Sequence, residues 1–353
     1  MVLFKNIIAH HKGTAMKLWF FLFVIISAFA TNATLSAQET FYKGKVLRIV
    51  TGASAGGGLD TYSRAIARHM RKHIPGNPTI VVENMPGAGG LIMVNHLAKV
   101  AKPDGLTIGN FIGDLVGLQL LGRPGVEADF QTLGYVGVPL RDTAACAFTK
   151  ASGITSVEKW MASKAPVKLG STGPMTGIDN TPRILKALLG LPIQIVAGYK
   201  GTSEIRLAAE SGELAGACWV WGSIKPGWRN AIQSGDVVVV LQNRPQPHPD
   251  LPHVPLAADL AKTREVRELL HISDLSPISF TYAIAGGSPA DRLQALRRAF
   301  MDTMKDAEFL ADAEKSQVLI DPMAGDEVEK TVHRFLNLEP AMATKLKEIL
   351  SAK

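Results

Sequence analysis

Two glycine-rich turns are the features of this chain whose residue types and spacing could do chemistry. The first, residues 52–58, follows an apolar segment at 46–50 and precedes a segment with helical spacing. The second, residues 171–177 with the sequence STGPMTG, follows another apolar segment at 167–170. A turn between a strand and a helix presents backbone N–H groups that favour anions, so the two turns predict an anion site. Either turn could instead be rich in glycine only because a tight turn requires it.

Several short sequences near these turns resemble enzyme motifs, but they lack the residue order or the preceding strands that those motifs require. Residues 52–56 read G-x-S-x-G, but a hydrolase nucleophile elbow follows several earlier strands, whereas only one predicted strand precedes this string. Residues 56–60 lack the order G-x-G-x-x-G, and residues 199–202 have Lys and Gly transposed relative to a P-loop. We therefore predict neither a catalytic centre nor a nucleotide cofactor.

Metal ligation is not predicted either. His69 and His73 lie four residues apart on a predicted helix, but Arg68, Arg71 and Lys72 flank them, and a cationic neighbourhood opposes a divalent ion. The sequence has no Cys-His cluster with zinc spacing.

The two cysteines, Cys146 and Cys218, lie in apolar stretches that read as strands. They could form a disulfide or remain two separately buried thiols, and spacing alone does not decide between these states. The second stretch also begins a cluster of Trp219, Trp221 and Trp228, which we interpret as core aromatics, with a role in lining a cleft as the alternative.

Predicted elements alternate along the chain in a way that would position both turns. Strands are predicted at 46–50, 79–82 and 107–111, with helices between them, and Asp60 or Thr61 as the N-cap of the first helix. This order is typical of a parallel, doubly wound sheet. The middle of the chain repeats the pattern, with strands at 143–149, 167–170 and 193–197, and further strands are predicted at 237–241 and 278–285.

Composition excludes several classes of protein. With 353 residues, 46% hydrophobic and 20% charged, the chain is ordinary globular protein of about two domains. Its net charge is +7, with 38 basic residues, but three of them fall in the first 37 residues, which contain no acid. The remaining 35 basic and 31 acidic residues are spread along the chain and predict no nucleic-acid partner.

The N-terminal segment has the pattern of a secretory signal peptide. Lys12 and Lys17 precede a thirteen-residue run at 18–30 that is apolar except for Ser27, followed by small and polar residues to Ala37. Thirteen residues of helix are too short to cross a bilayer. We expect residues 1–37 to be removed and the mature protein to be periplasmic.

Three motifs together resemble one family. The run GGGLD at 56–60 with Arg64, the string VVENMPGAGG at 81–90 and the string AKPDGLT at 101–107 resemble the Bug family of extracytoplasmic solute receptors. These receptors are the substrate-binding proteins of tripartite tricarboxylate transporters.

This resemblance implies an α/β fold of the type II periplasmic-binding-protein class, in which each of two lobes is a doubly wound sheet with flanking helices. The implied division is lobe one at 43–140 plus 270–353 and lobe two at 141–269. By the same resemblance, the residues that face the ligand are Ala53, Ser54, Gly57, Asp60, Gly87, Ala88, Gly89, Gly90, Ser171, Thr172, Thr176, Tyr199 and Gly201.

The function that follows is capture of a small carboxylate in the cleft between the lobes and delivery to the membrane permease of a tripartite tricarboxylate-type transporter. No cofactor, metal or catalytic residue is expected, and we expect a monomer. Two alternatives remain open: a ligand sensor for a signalling partner, and an exported enzyme on the same fold.

Overall fold

The computed structural model describes residues 41–53, 55–56, 58–173, 176–199, 201–316 and 318–351. The predicted signal peptide lies outside the described residues, as do Ser54 and Gly57 of the predicted site. None of the helices in the described ranges combines the length and apolarity needed to cross a membrane.

Eleven strands and thirteen α-helices are defined in the described ranges. The strands are β1 Val46–Thr51, β2 Thr79–Asn84, β3 Thr107–Phe111, β4 Gly134–Val138, β5 Ala144–Thr149, β6 Val167–Ser171, β7 Ile193–Ala197, β8 Gly216–Val220, β9 Val237–Asn243, β10 Thr281–Ile284 and β11 Met323–Ala324. The helices are α1 Gly58–Met70, α2 Leu91–Lys99, α3 Leu115–Leu120, α4 Val157–Met161, α5 Gly177–Leu189, α6 Thr202–Glu210, α7 Trp221–Gly227, α8 Arg229–Ser234, α9 Arg264–Ile272, α10 Ala290–Thr303, α11 Ala307–Lys315, α12 Gly325–Leu336 and α13 Pro340–Ser351.

The strands form two separate sheets. The first has six strands in the order β11-β4-β10-β3-β1-β2, and the second has five in the order β7-β6-β8-β5-β9. Helices α1, α2, α10 and α12 pack on the first sheet, and α5 and α6 pack on the second. This arrangement confirms the expected fold of two α/β lobes, which we call lobe one and lobe two after their sheets.

The prediction of parallel sheets is wrong in both lobes: besides the two-residue strand β11, which is antiparallel to β4, each sheet contains one reversed strand. Strands β2, β1 and β3 are parallel, but β10 runs antiparallel to both of its neighbours, β3 and β4. In lobe two, β7, β6 and β8 are parallel, and β5 is antiparallel to β8 and β9. An apolar run shows that a strand is buried and carries no information on its direction, so the sequence pattern could not reveal these two reversals.

The chain passes between the sheets at two places. Residues 139–143 lead from β4 into β5, and the return follows β9, through α9, to β10. The last helix, α13, packs against α5 of lobe two although it follows elements of lobe one. The lobe boundaries given above stay a prediction.

Cys146 and Cys218 form a disulfide, which decides between the two alternatives left open by the sequence. The residues lie directly opposite each other on the antiparallel strands β5 and β8, with their Cα atoms 4.0 Å apart. Both are fully buried, so the bond joins two central strands of lobe two inside its core.

Candidate functional site

A cavity of about 390 Å³ lies between the two sheets. Lobe one contributes the turn after β1 and the segment after β3, which includes Asp114. Lobe two contributes the turn after β6, the first half of α5, and the ends of β8 and β9. The returning segment, residues 273–280, completes the wall between them. Both glycine-rich turns singled out in the sequence therefore border one enclosed space.

Three helices begin at this cavity. Gly58 starts α1, Gly177 starts α5 and Thr202 follows Gly201 at the start of α6, and all four residues line the cavity. The first N–H groups of a helix have no carbonyl acceptor within the helix, and the helix dipole adds partial positive charge there. Helix N-termini from both lobes therefore lie at one cavity.

Asp60 holds the first of these turns in place. Its carboxylate accepts hydrogen bonds from the Gly56 N–H at 2.8 Å and from Asn84 Nδ2 at 2.9 Å, and Arg64 Nη2 lies 2.9 Å from Oδ1. Asn84 Nδ2 also donates to the carbonyl of Ala53 at 2.9 Å. The Arg64 hydrogen bond is the largest of the interactions that lower the pKa of Asp60 to about 2, so the group is ionised at neutral pH.

The predicted N-cap at Asp60 or Thr61 is wrong, because α1 already begins at Gly58. Asp60 is the third residue of the helix, and it bonds backward to the turn instead of capping the N–H groups ahead of it.

Lobe two has the same arrangement of an aspartate bonded to the preceding turn and paired with an arginine. Asp179 is likewise the third residue of its helix, α5, and its Oδ1 accepts a hydrogen bond from Ser171 Oγ at 2.8 Å in the preceding turn. Arg183, four residues on, pairs with Asp179 as Arg64 pairs with Asp60. Ser171 Oγ in turn accepts the N–H of Gly173 at 3.0 Å. Each glycine-rich turn is therefore anchored by a buried aspartate from the helix that it precedes.

In lobe one, the turn at residues 87–90 packs against the turn at residues 52–58. Residues 87–90 connect β2 to α2 and do not line the cavity as described. Gly90 lies so close to Gly52 that a Cβ atom added at Gly52 would be 2.9 Å from the Gly90 Cα atom. Ala88 and Gly89 both have positive φ angles, of 46° and 65°. The turn packs behind the cavity wall.

The remaining predicted residues divide into two groups. Thr172 and Thr176 line the cavity, and their hydroxyl groups are 3.1 Å apart. Tyr199 lies away from the cavity lining, where its hydroxyl donates to Glu213 Oε1 at 2.6 Å. Burial, with the neighbouring Glu213 carboxylate, raises the pKa of Tyr199 to about 12.

Of the thirteen predicted residues, the cavity lining includes Ala53, Thr172, Thr176 and Gly201. Asp60 and Ser171 lie behind it as anchors of the turns. Residues 87–90 lie in the turn between β2 and α2, and Tyr199 follows β7. Their contact with a ligand stays a prediction.

The polar cavity residues that were not predicted from the sequence include Asp114, Asn180, Asn243 and Asp274. Asp114 comes three residues after β3, and ligands of open α/β sheets bind at strand carboxyl ends, so this rule could have found it. Trp219 is only 5% exposed yet borders the cavity, so the core and cleft interpretations are both correct for it. Asn243 and Asp274 reach the site only through the crossing between lobes.

One group of side chains outside the cavity has the donor types of a metal site: His69, Asp306 and Glu308. The ammonium group of Lys72 lies 2.9 Å from Asp306 and 2.6 Å from Glu308. The two carboxylates are therefore already paired with a cation, as expected from the basic residues around His69.

The family can be read from the chain's match to known proteins. Residues 62–337 match the model of the tripartite tricarboxylate transporter family receptor, TctC, and this match spans most of the chain. The protein is a member of the TctC family. This confirms the resemblance to the Bug receptors drawn from the three sequence motifs.

Curated relatives of this TctC protein match part of its length. A UPF0065 protein in the gbd 5' region of Cupriavidus necator is 28% identical over 203 residues, which are 56% of this chain and 59% of that protein. The chain thus spans less than two thirds of the length of that relative.

Solved structures show the same fold. A TctC solute-binding protein from Polaromonas superposes with a TM-score of 0.68 at 17% identity, covering 88% of this chain and 99% of that one. A Rhodopseudomonas palustris protein with adipate gives a TM-score of 0.63 at 17% identity, covering 87% and 97%. MatC from the same organism, with bound malate, gives 0.60 at 17% identity, covering 87% and 99%.

Proposed function

We propose that the protein is a solute receptor that binds a small carboxylate between its lobes and delivers it to a tripartite tricarboxylate-type permease. The observation that carries this proposal is the convergence of three helix N-termini on one cavity. Backbone N–H groups at helix starts bind carboxylates with little reorganisation, because they are already oriented.

The residues around the cavity suit such a ligand. The hydroxyl group of Ser223 adds a donor on the lobe-two side, whereas those of Thr172 and Thr176 already donate to Thr176 Oγ1 and to the Gly173 carbonyl. Leu59, Ile112 and Phe280 form apolar walls, as is usual for small-molecule sites in which a few polar groups set the orientation. The structural neighbours with adipate and malate are consistent with a carboxylate ligand in this fold.

A ligand that contacts both lobes would favour the closed arrangement over the open one. Contacts such as those of Gly58 in lobe one and Gly177 in lobe two are available together only when the cleft is closed. The crossing segments, residues 139–143 and those between β9 and β10, would absorb the motion. We propose that the permease recognises this closed form on the periplasmic side, to which the segment at 1–37 directs the chain.

A thermal-shift panel tests the proposal. The exported protein is unfolded, washed and refolded to remove carried-over ligand, and then mixed with small carboxylates and with the amide of each acid. Ligand at 1,000 times its dissociation constant should stabilise the native state by about 4 kcal/mol, which raises the melting temperature by several degrees. We expect a shift with one class of acids and none with the amides. Equal shifts with acid and amide, or no shift with any acid, would contradict carboxylate binding.

A further inference from the structure

The titratable part of the cavity lining is acidic. The titratable side chains among its described lining residues are two carboxylates, Asp114 and Asp274. Such groups repel a second carboxylate, so an acidic ligand could not place its own carboxylate against them.

The cavity lining also contains buried oxygen atoms that lack a hydrogen-bond donor. Asn243 is 5% exposed and Asn180 is 8% exposed, and the Oδ1 atom of each has no partner among the described residues. The Oδ2 atom of Asp274 is also buried without one. Buried acceptors are nearly always paired in proteins, so unpaired ones that line a cavity indicate that the occupant supplies the donors.

The orientation of Asn243 is fixed by its neighbours. Its Nδ2 atom donates to the carbonyl of Leu270 at 3.3 Å, which identifies the other amide atom as the oxygen. That oxygen can only accept, and the ligand group opposite must donate.

These acceptors belong to one continuous wall. Asn243 pairs in register with Ala144, whose N–H donates to Ser276 Oγ at 3.1 Å. The N–H of Ser276 donates to Asp274 Oδ1 at 3.1 Å, which leaves Oδ2 as the unpaired atom. Gly113 packs against Ile278, which belongs to the same returning segment, residues 273–280, as Asp274 and Ser276. This contact brings Asp114, the next residue after Gly113, close to the wall. We call Asp114, Asn243 and Asp274 the acceptor wall.

The charges around the wall make it responsive to a cation. Burial is the main cause that raises the pKa of Asp274 to about 7 and that of Asp114 to about 6, and the nearness of Asp114 adds to the shift of Asp274. Arg244, which follows β9, opposes this shift because its positive charge lowers the pKa of Asp274. Its guanidinium donates to Thr143 Oγ1 at 3.0 Å, and the nearby charges of Asp142 and Asp321 favour its protonated form. Near neutral pH, Asp274 or Asp114 is therefore protonated in a fraction of the molecules, and a bound cation would displace this proton.

We propose that the ligand carries a protonated amine in addition to its carboxylate, and that the amine binds the acceptor wall. An ammonium group has three donors and a positive charge, and it forms charge-assisted hydrogen bonds with carboxylates and amide oxygens. Asp114 lies beside Gly177, because a Cβ atom added there would be 3.4 Å from its carboxylate oxygens, so the ligand's carboxylate faces the other two helix N-termini, at Gly58 and Thr202. Its apolar body lies against Leu59, Ile112 and Phe280. The ligand class is a zwitterionic amino acid with an aliphatic or aromatic side chain. This inference rests on the proposed function, because it assigns the other end of the same ligand.

Matched ligand pairs test the inference by calorimetry on the refolded protein. The probes are leucine with 4-methylpentanoate and phenylalanine with 3-phenylpropanoate, each pair differing only in the amine, together with the 2-hydroxy acid of each skeleton and the amine that lacks the carboxylate. For at least one skeleton we expect the amino acid to bind at least about tenfold more tightly than its desamino acid, a difference of about 1.4 kcal/mol.

The outcomes separate the two proposals. If the desamino or 2-hydroxy acid binds as tightly as the amino acid, the amine assignment is wrong and carboxylate binding stands. If the amine without a carboxylate binds as tightly as the amino acid, carboxylate binding is wrong and the acceptor wall stands. If no compound of either skeleton binds, the proposed ligand class is overturned, and the acid panel described above then decides carboxylate binding by itself.

Variants of the wall give a second readout. Asp274→Asn keeps the shape and removes the charge, and it should weaken amino-acid binding at least about tenfold while leaving desamino-acid binding unchanged or tighter. Asp302→Asn, an exposed position on α10, is the matched control and should change neither. Lowering the pH from about 8 to about 5 should weaken amino-acid binding in the wild type, because Asp274 and Asp114 become protonated while the amine keeps its charge. Equal effects of Asp274→Asn on both ligands of a pair, or amino-acid affinity that is constant over this pH range, would overturn the assignment.

Discussion

Asp60 and Asp179 show how single residues can order the two glycine-rich turns from behind the cavity lining. Each is buried, each is the third residue of a helix, and each bonds backward to a glycine-rich turn while an arginine four residues later pairs with it. The turns can then present their N–H groups in a fixed arrangement, which lowers the conformational cost of binding.

Replacing Asp60 with Asn should destabilise the protein. The amide cannot accept all the hydrogen bonds that Arg64, Asn84 and Gly56 donate, and we expect the free energy of unfolding to fall by about 2 kcal/mol in urea denaturation. Asp326→Asn, an exposed member of a weak pair with Lys330, is the control and should cost less than about 0.5 kcal/mol.

The loss of stability caused by Asp60→Asn should depend on pH. Folding lowers the pKa of Asp60 from 3.8 to about 2, so its ionised form stabilises the native state above about pH 4, and this contribution is lost as the pH falls through about 2. The stability difference between wild type and Asp60→Asn should therefore narrow between pH 4 and pH 2. A difference that stays constant over this range would show that the charge of Asp60 is not what matters.

At the level of residues, the sequence predicted the turns better than the ligand-facing side chains. Gly52 to Gly58 and Ser171 to Gly177 could be recognised because turn chemistry is local. Asn243 and Asp274 are more than thirty residues apart and meet only where the chain crosses between lobes, so their role has no local signal.

Among the elements, the disulfide between β5 and β8 makes the strongest link inside lobe two. It joins residues 72 positions apart, and closing a loop of that size in the unfolded chain stabilises the native state by about 4 kcal/mol in the chain-entropy model.

Reduction should therefore lower the urea midpoint of the wild type. The double variant Cys146→Ala with Cys218→Ala should unfold at a lower midpoint that is the same with and without reductant. If reductant leaves the wild-type midpoint unchanged at equilibrium, the disulfide does not contribute to stability.

Helix α13 makes a second link, from the C-terminal end of the chain to α5 of lobe two. Leu346 is completely buried, and Leu346→Ala should lower the free energy of unfolding by about 3 kcal/mol through lost contacts and a residual cavity. The exposed neighbour Lys347→Ala should be near neutral, and equal effects of the two would contradict the packing described for α13.

Element positions were largely predictable and element directions were not. The strand predicted at 107–111 matches β3, and the one predicted at 193–197 matches β7. The reversed strands β5 and β10 depend on how the chain re-enters each sheet, which is a property of the tertiary connections.

For the molecule as a whole, the central claim is that the cavity between the lobes is the ligand site. Thr181 on α5 lines this cavity, so a large side chain there would fill part of the space of about 390 Å³. Thr181→Trp should therefore block binding without disturbing the two sheets. Glu348→Trp, on an exposed face of α13, adds the same side chain outside the cavity and serves as the control.

The most direct measurement is calorimetric titration of the carboxylate that gives the largest thermal shift into the wild type and these two variants, each shown to be folded by circular dichroism. We predict one site per chain in the wild type and the same affinity in Glu348→Trp. In Thr181→Trp the affinity should fall at least about a hundredfold, or about 2.7 kcal/mol. Wild-type affinity in Thr181→Trp would place the ligand elsewhere and contradict the account.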